Sequence, residues 1–186
     1  MEKITIVQDQ LKRMRQMNRY YHNQFLIEVR LLLAISVLLL IVENSIKYYL
    51  IPFVSLFGAV LLAFHAHYLI FSRNFSDYLE KQINTIAGEE LLIAHKLENN
   101  YFFPIQDKKI VVAALGKSFT WFGFVTLFIT TYGIGFFIYG FMNIDYSQST
   151  TYRLVLLISS LITLLVGYWW FVYGEGEKRL RRIYEQ

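Results

Sequence analysis

Four blocks of apolar residues constrain this chain more than any other feature. They are "FLIEVRLLLAISVLLLIV" at 25–42, "PFVSLFGAVLLAFHAHYLIF" at 52–71, "SFTWFGFVTLFITTYGIGFFIYGFM" at 118–142 and "LVLLISSLITLLVGYWWFVY" at 154–173. Helices of that length cross a hydrocarbon core of ~30 Å. Backbone in such a core has no water to bond, and a helix satisfies its own N–H and C=O groups. Only 17% of the residues are charged, against roughly 25% in a soluble domain. The sequence therefore predicts an all-α integral membrane protein with four transmembrane helices in two hairpins, plus cytoplasmic amphipathic helices.

The flanking segments follow from these spans. Residues 1–24 form a cytoplasmic helix, 25–71 a first hairpin, 72–117 an amphipathic helix and linker, 118–173 a second hairpin, and 174–186 a basic tail. Four spans put both termini and the middle segment on one side. That side, counted with Arg30, holds all of the 18 basic residues except Lys47 and Arg153. The positive-inside rule makes it the cytoplasm. The start of the chain shows no cleavable signal pattern. Small size and simple topology fit a bacterial inner membrane. Glu28 and Arg30 are expected to snorkel to the headgroups from the first two turns of their span. Glu43 and Lys47 form an i,i+4 pair that predicts a helix running past Val42. Pro52 is expected in the first turn of the second span, and Tyr48 and Tyr49 are expected as interfacial anchors.

Ahead of the first span, Ile4, Val7, Leu11, Met14, Asn18, Tyr21 and Phe25 recur at spacings of 3, 4, 3, 4, 3 and 4. This is an a/d seam, with Lys12, Arg13, Arg15 and Arg19 off it. It predicts one long helix continuous with the first span. The seam packs either on the middle helix of the same chain or in a coiled coil between copies. In the middle segment, Ser76 reads as a cap. Phe75, Leu79, Ile83, Ile86, Leu91, Ala94 and Leu97 make an apolar stripe over roughly six turns, which Gly88 weakens. Glu80, Glu89, Glu90 and Glu98 are assigned to its polar face. "ENNYFFPIQDKK" at 98–109 reads as a turn with Tyr101, Phe102 and Phe103 near the interface.

His65 and His67 lie inside an apolar block. Two residues apart on a helix means ~200° apart, so they cannot chelate one metal from one face. The other spans hold no histidine, and His22 is poorly matched in depth. The pair reads as an interface marker, with pH sensing as the functional alternative. In the third span, Gly116, Thr120, Gly123, Thr126, Thr130 and Gly133 form a stripe of small and hydroxyl residues. It serves close helix packing, or the lining of a pore in an oligomer. Ser160, Thr163 and Gly167 offer a shorter set in the fourth span.

The chain has no cysteine, which removes disulfides, thiolate metal sites and thiol nucleophiles. No phosphate loop, Ser/His/Asp set or HExxH motif is present. Neither an enzyme nor a bound cofactor or metal is expected. The expected partners are the lipid bilayer, further copies of the chain and a cytosolic protein; nucleic acid is disfavoured. The leading function is a homo-oligomeric, membrane-anchored sensor or adaptor with a seam at Val7, Leu11, Met14, Asn18 and Tyr21. The alternatives are a small oligomeric channel or membrane-permeabilising effector, as in a bacterial stress or defence system, and a haem carrier or membrane enzyme using His65, His67 and His95.

Overall fold

The computed structural model describes residues 2–97, 121–145 and 150–184. Among these the protein is all-α. The helices are α1 (Glu2–Ile41), α2 (Lys47–Ala87), α3 (Ala94–Leu97), α4 (Trp121–Met142), α5 (Thr150–Gly167) and α6 (Glu175–Tyr184), with a π-helical turn Tyr168–Val172 after α5. Three stretches are long and apolar enough to cross a membrane: Lys3–Ile41, Lys47–Ala87 and Thr150–Trp170. Leu127–Met142 within α4 is a shorter apolar helix. Residues 118–120 of the expected third span, and the whole 98–109 turn, lie outside the described residues.

α1 has 40 residues and α2 has 41, so each is ~60 Å long. α1 joins the heptad segment to the first apolar block without a break, as its periodicity predicts. It does not run past Val42, however. It closes with the Val42 N–H donating to Leu38 O, and Asn44 then reverses the chain. The Asn44 side-chain oxygen accepts the Ile46 N–H at 2.9 Å, an Asx turn that competes with helix at this point. The Lys47 ammonium turns to Leu40 O and begins α2. Pro52 consequently sits inside a helix that starts at Lys47, one turn deeper than the sequence predicts.

α2 corrects the expected layout most. The second span and the middle amphipathic helix are one helix, unbroken through 72–87. Ser76 caps nothing: its hydroxyl donates to Ser72 O at 2.7 Å within the helix. The helix ends at Gly88, which has φ of 74°, the left-handed conformation glycine adopts most easily at a helix C-terminus. The apolar stripe thus stops short of its expected length, and Ile86 and Leu91 are exposed. Asn84 clasps the returning chain. Its oxygen accepts the Leu91 and Leu92 N–H groups, and its amide donates to Leu92 O at 2.8 Å.

The chain divides into two compact units, Met1–Glu28 with Leu62–Gln106 and Val29–Leu61 with Asp107–Gln186. In the first, Leu11, Leu79 and Ile83 form a core, with Val7, Met14, Phe75, Tyr78 and Leu92 packed against it. The α1 seam is therefore occupied by α2 of the same chain, running antiparallel.

In the second unit Ile51, Phe136, Ile144 and Leu156 are buried, as is Ser36, while many other large apolar side chains are exposed. Ser36 is 2% exposed, and Ile41 is 70% exposed. Ser36 donates to Leu33 O at 2.9 Å and shares a 2.6 Å hydrogen bond with the Tyr132 hydroxyl. Since serine has one proton, the tyrosine is the donor. Gly140 lies against α2 so closely that a Cβ there would meet Ile51 Cγ2 at 2.5 Å and Pro52 Cδ at 2.7 Å. At the α1–α2 turn end, the Tyr152 hydroxyl bonds Tyr49 O, and its ring meets Tyr49 and Phe53 edge-on.

α5 leads into the π turn, where the Tyr173 N–H donates to Tyr168 O at 2.9 Å. Gly174, with φ of 76°, then redirects the chain into α6. The segment expected as a tail is thus helical over Glu175–Tyr184. Lys178 lies over the Tyr173 ring at 4.0 Å, and Arg179 over Trp169 and Trp170. Such cation–π contacts tie the basic helix to the aromatic turn.

Candidate functional site: polar stations along the α1–α2 pair

The first unit brings titratable side chains together at two levels. The lower one is Arg15 with Glu80, at 2.7 Å. Arg15 lies off the seam and keeps half its side chain in solvent, whereas Glu80 is 2% exposed. Glu80 was expected on a solvated face. α2 instead turns it inward beside the Leu79–Ile83 core. A carboxylate removed from water in this way needs a charged or hydrogen-bonding partner, and Arg15 supplies one with a charge-assisted bond.

The upper level is Glu28 with His65. Glu28 Oε2 is 2.7 Å from His65 Nδ1, with the two side chains 19% and 12% exposed. An Nδ1–H donates to the carboxylate. Glu28 therefore does not snorkel along its own helix but reaches across to α2. Tyr21 closes one side: its ring stacks on Tyr68 at 4.5 Å and 13°, and lies 5.7 Å from the His65 ring. Phe64 meets His65 edge-on. His67 is on another side of α2, half-buried, with its ring 6.0 Å from Tyr68. The two histidines do not converge, as their spacing requires. No group of three or more His, Cys, Asp or Glu arranged to hold a metal occurs among the described residues.

Beside the lower level runs a groove of about 470 Å³, lined by Gln8, Leu11, Lys12, Arg15, Gln16, Arg19, Ile83 and Leu92. Its floor is apolar and its α1 rim is basic. The Asn84 clasp sets its third wall by bringing Leu92 back against the core.

The other sequence-predicted residues are more dispersed. Val7, Leu11, Met14, Asn18 and Tyr21 share the α1 face that is buried or half-buried. Gly116 and Thr120 lie outside the described residues. Gly123 and Thr126 fall on α4, with the Thr126 side chain outside the described ones. Thr130 is exposed, and nothing lies within 4 Å of a Cβ built on Gly133. Close approach occurs at Gly58, against the Leu32 side chain, and at Gly140, against Ile51 and Pro52, instead. The sequence reading missed Gly58, although Ser55 one turn earlier makes a small-x-x-small pair there. It also missed the Glu28–His65 pair. Depth along the helices did not signal it: Glu28 lies 13 residues before the end of α1 at Ile41 and His65 lies 18 after the start of α2 at Lys47, ~20 and ~27 Å from the turn. Comparison with protein-family models, with curated proteins and with solved structures finds no match to this chain.

Proposed function

We propose that this protein is a membrane-anchored adaptor whose first unit binds a cytosolic protein. One observation carries the reading. α1 and α2 are each ~60 Å long, about twice the ~30 Å of a hydrocarbon core, so a bilayer that takes the apolar half of each helix leaves the first unit to water. The apolar halves supply the anchor. Four spans, with α4 as the third, put the first unit, α6 and both termini in the cytoplasm by the distribution of basic residues. The Glu28–His65 pair, drawn from the two apolar blocks, gives the first unit a station through which membrane state acts on the packing of α1 on α2. No catalytic group has a part in this reading.

The test is photo-cross-linking in cells, with a benzophenone amino acid at Arg13 or Gln16 in the first unit and at Thr150 in the second. Adducts to a discrete cytosolic protein from the first-unit positions, and none from Thr150, are expected. The absence of first-unit adducts, together with ion conductance by rings of four or more copies in nanodiscs, would replace the adaptor by the channel.

A further inference from the structure

We infer that the groove beside Leu11 is a docking site for an acidic, amphipathic helix of the cytosolic partner. The inference rests on the adaptor reading and adds the chemistry of what is bound.

Gln8, Lys12, Arg15, Gln16 and Arg19 lie within ~100° of one another around α1. They form a strip beside the seam and next to the partly buried Leu92. Leu11 and Ile83, 5% and 3% exposed, form the floor. No acidic side chain lines the groove. Arg15 is partly neutralised by Glu80. Lys12 and Arg19 have no ion-pair partner among the described residues. The groove thus offers unpaired cations over an apolar floor, and the complement is a surface with carboxylates at its edges and aliphatic side chains at its centre. An amphipathic helix has that form.

Length and depth select the occupant further. Gln8 to Arg19 spans ~16 Å, three turns of helix. Carboxylates at i, i+3 and i+7 of a parallel helix, or at i, i+4 and i+7 of an antiparallel one, match the spacing of Lys12, Arg15 and Arg19. Arg19 lies six residues before Phe25 and Gln8 lies 17 before it, so the groove runs from ~9 to ~25 Å beyond the start of the apolar block. The headgroup zone on one side is only ~5–8 Å deep. A lipid headgroup therefore reaches at most the Arg19 end. A second copy of the chain is poorly matched too. Among the described residues, the helices outside the apolar blocks are basic or neutral, and Glu90 is paired with Lys96.

The test uses the full chain in nanodiscs of neutral lipid, with two synthetic probes of equal length. One is an 18-residue helical peptide with leucines along one face and glutamates flanking them; the other carries lysines in place of the glutamates. Fluorescence anisotropy should show the acidic probe binding at least tenfold more tightly. Lys12→Glu with Arg19→Glu should weaken it tenfold or more, and Leu92→Asp should weaken it similarly. Arg13→Glu, a charge change on α1 outside the groove lining, should alter it less than twofold. Equal weakening by Arg13→Glu and by the groove variants would overturn the proposal, since attraction to net charge would then explain binding. Equal affinity for the two probes would overturn it as well, as would displacement of the acidic probe by stoichiometric inorganic triphosphate. If the groove fails while cross-links from Arg13 and Gln16 persist, the adaptor stands with a partner of different chemistry. Loss of both ends both.

Discussion

The two units are built on the same pair of helices and differ in what they bury and expose. In the first, apolar side chains meet between α1 and α2, and charged ones lie outside or reach across in pairs. In the second, Ile51, Phe136, Ile144 and Leu156 are buried, as is the Ser36 hydroxyl that bonds Tyr132, while many more large apolar side chains cover the outside. Only 6% of the most apolar 18-residue window of α1 is buried, and 17% of that of α2. On the proposed membrane reading, the difference is one of solvent. Water drives Leu11 onto Leu79 and Ile83. Lipid would give no such drive, because lipid tails are as apolar as leucine. Close approach at glycine and hydrogen bonds between helices would then carry more of the packing.

The largest effect expected from breaking this contrast is at Gly140. A side chain there meets Ile51 and Pro52, and Pro52 lies in a helix that cannot bend away cheaply. Gly140→Leu should destabilise the second unit by about 3 kcal/mol, read as a lowered midpoint of unfolding in mixed detergent. Gly58→Ala is the control. The atoms nearest a Cβ there are the δ methyls and Cγ of Leu32, the far end of a flexible side chain, so its effect should be well under half as large. Equal effects at the two glycines would show that close approach is not what holds the unit.

The next effect belongs to the first unit. Arg15→Ala leaves the Glu80 carboxylate buried without its guanidinium, which should lower stability by about 2 kcal/mol. Because Glu80, not Arg15, is the buried partner, Arg15→Met with Glu80→Leu should recover most of the loss. A double variant as unstable as the single one would mean that the ion pair, not relief of a buried charge, provides the stability.

The smallest effect sharpens the comparison. Tyr132→Phe removes the donor to Ser36 and should cost about 1 kcal/mol, the ordinary worth of such a bond. It should be insensitive to salt, whereas the loss in Arg15→Ala should shrink as ionic strength rises, since the exposed half of Arg15 is screened. Parallel salt dependences would remove the distinction between the two units.

The legible parts of the sequence were those written in periodicity. The seam from Val7 to Tyr21 gave the buried face of α1, and the apolar block after it gave a continuous helix. The boundary at Ser72–Arg73 misled because it is a change of composition, not of backbone. Polar residues enter there, but neither glycine nor proline interrupts 59–87, and α2 carries on. Real breaks came from specific residues: Asn44 with its Asx turn, and Gly88 with its positive φ. Glu28 and Glu80 were misplaced for a shared reason. An isolated carboxylate on one helix reads as solvated until the facing helix supplies His65 or Arg15, and that pairing depends on the register of a hairpin whose turn was not located to the residue.

That register has an evolutionary consequence. Arg15 and Glu28 are fixed on α1 by partners on α2, Glu80 and His65, so the helix lengths between them are coupled. One inserted residue in α1 between the pairs would rotate everything beyond it by ~100° and aim one of the two side chains away from its partner. Seven residues would restore the facing to within ~20°, but only if α2 lengthened by a similar amount. Descendants of this chain should therefore vary freely in sequence between these pairs and change in length there only by matched heptads in both helices.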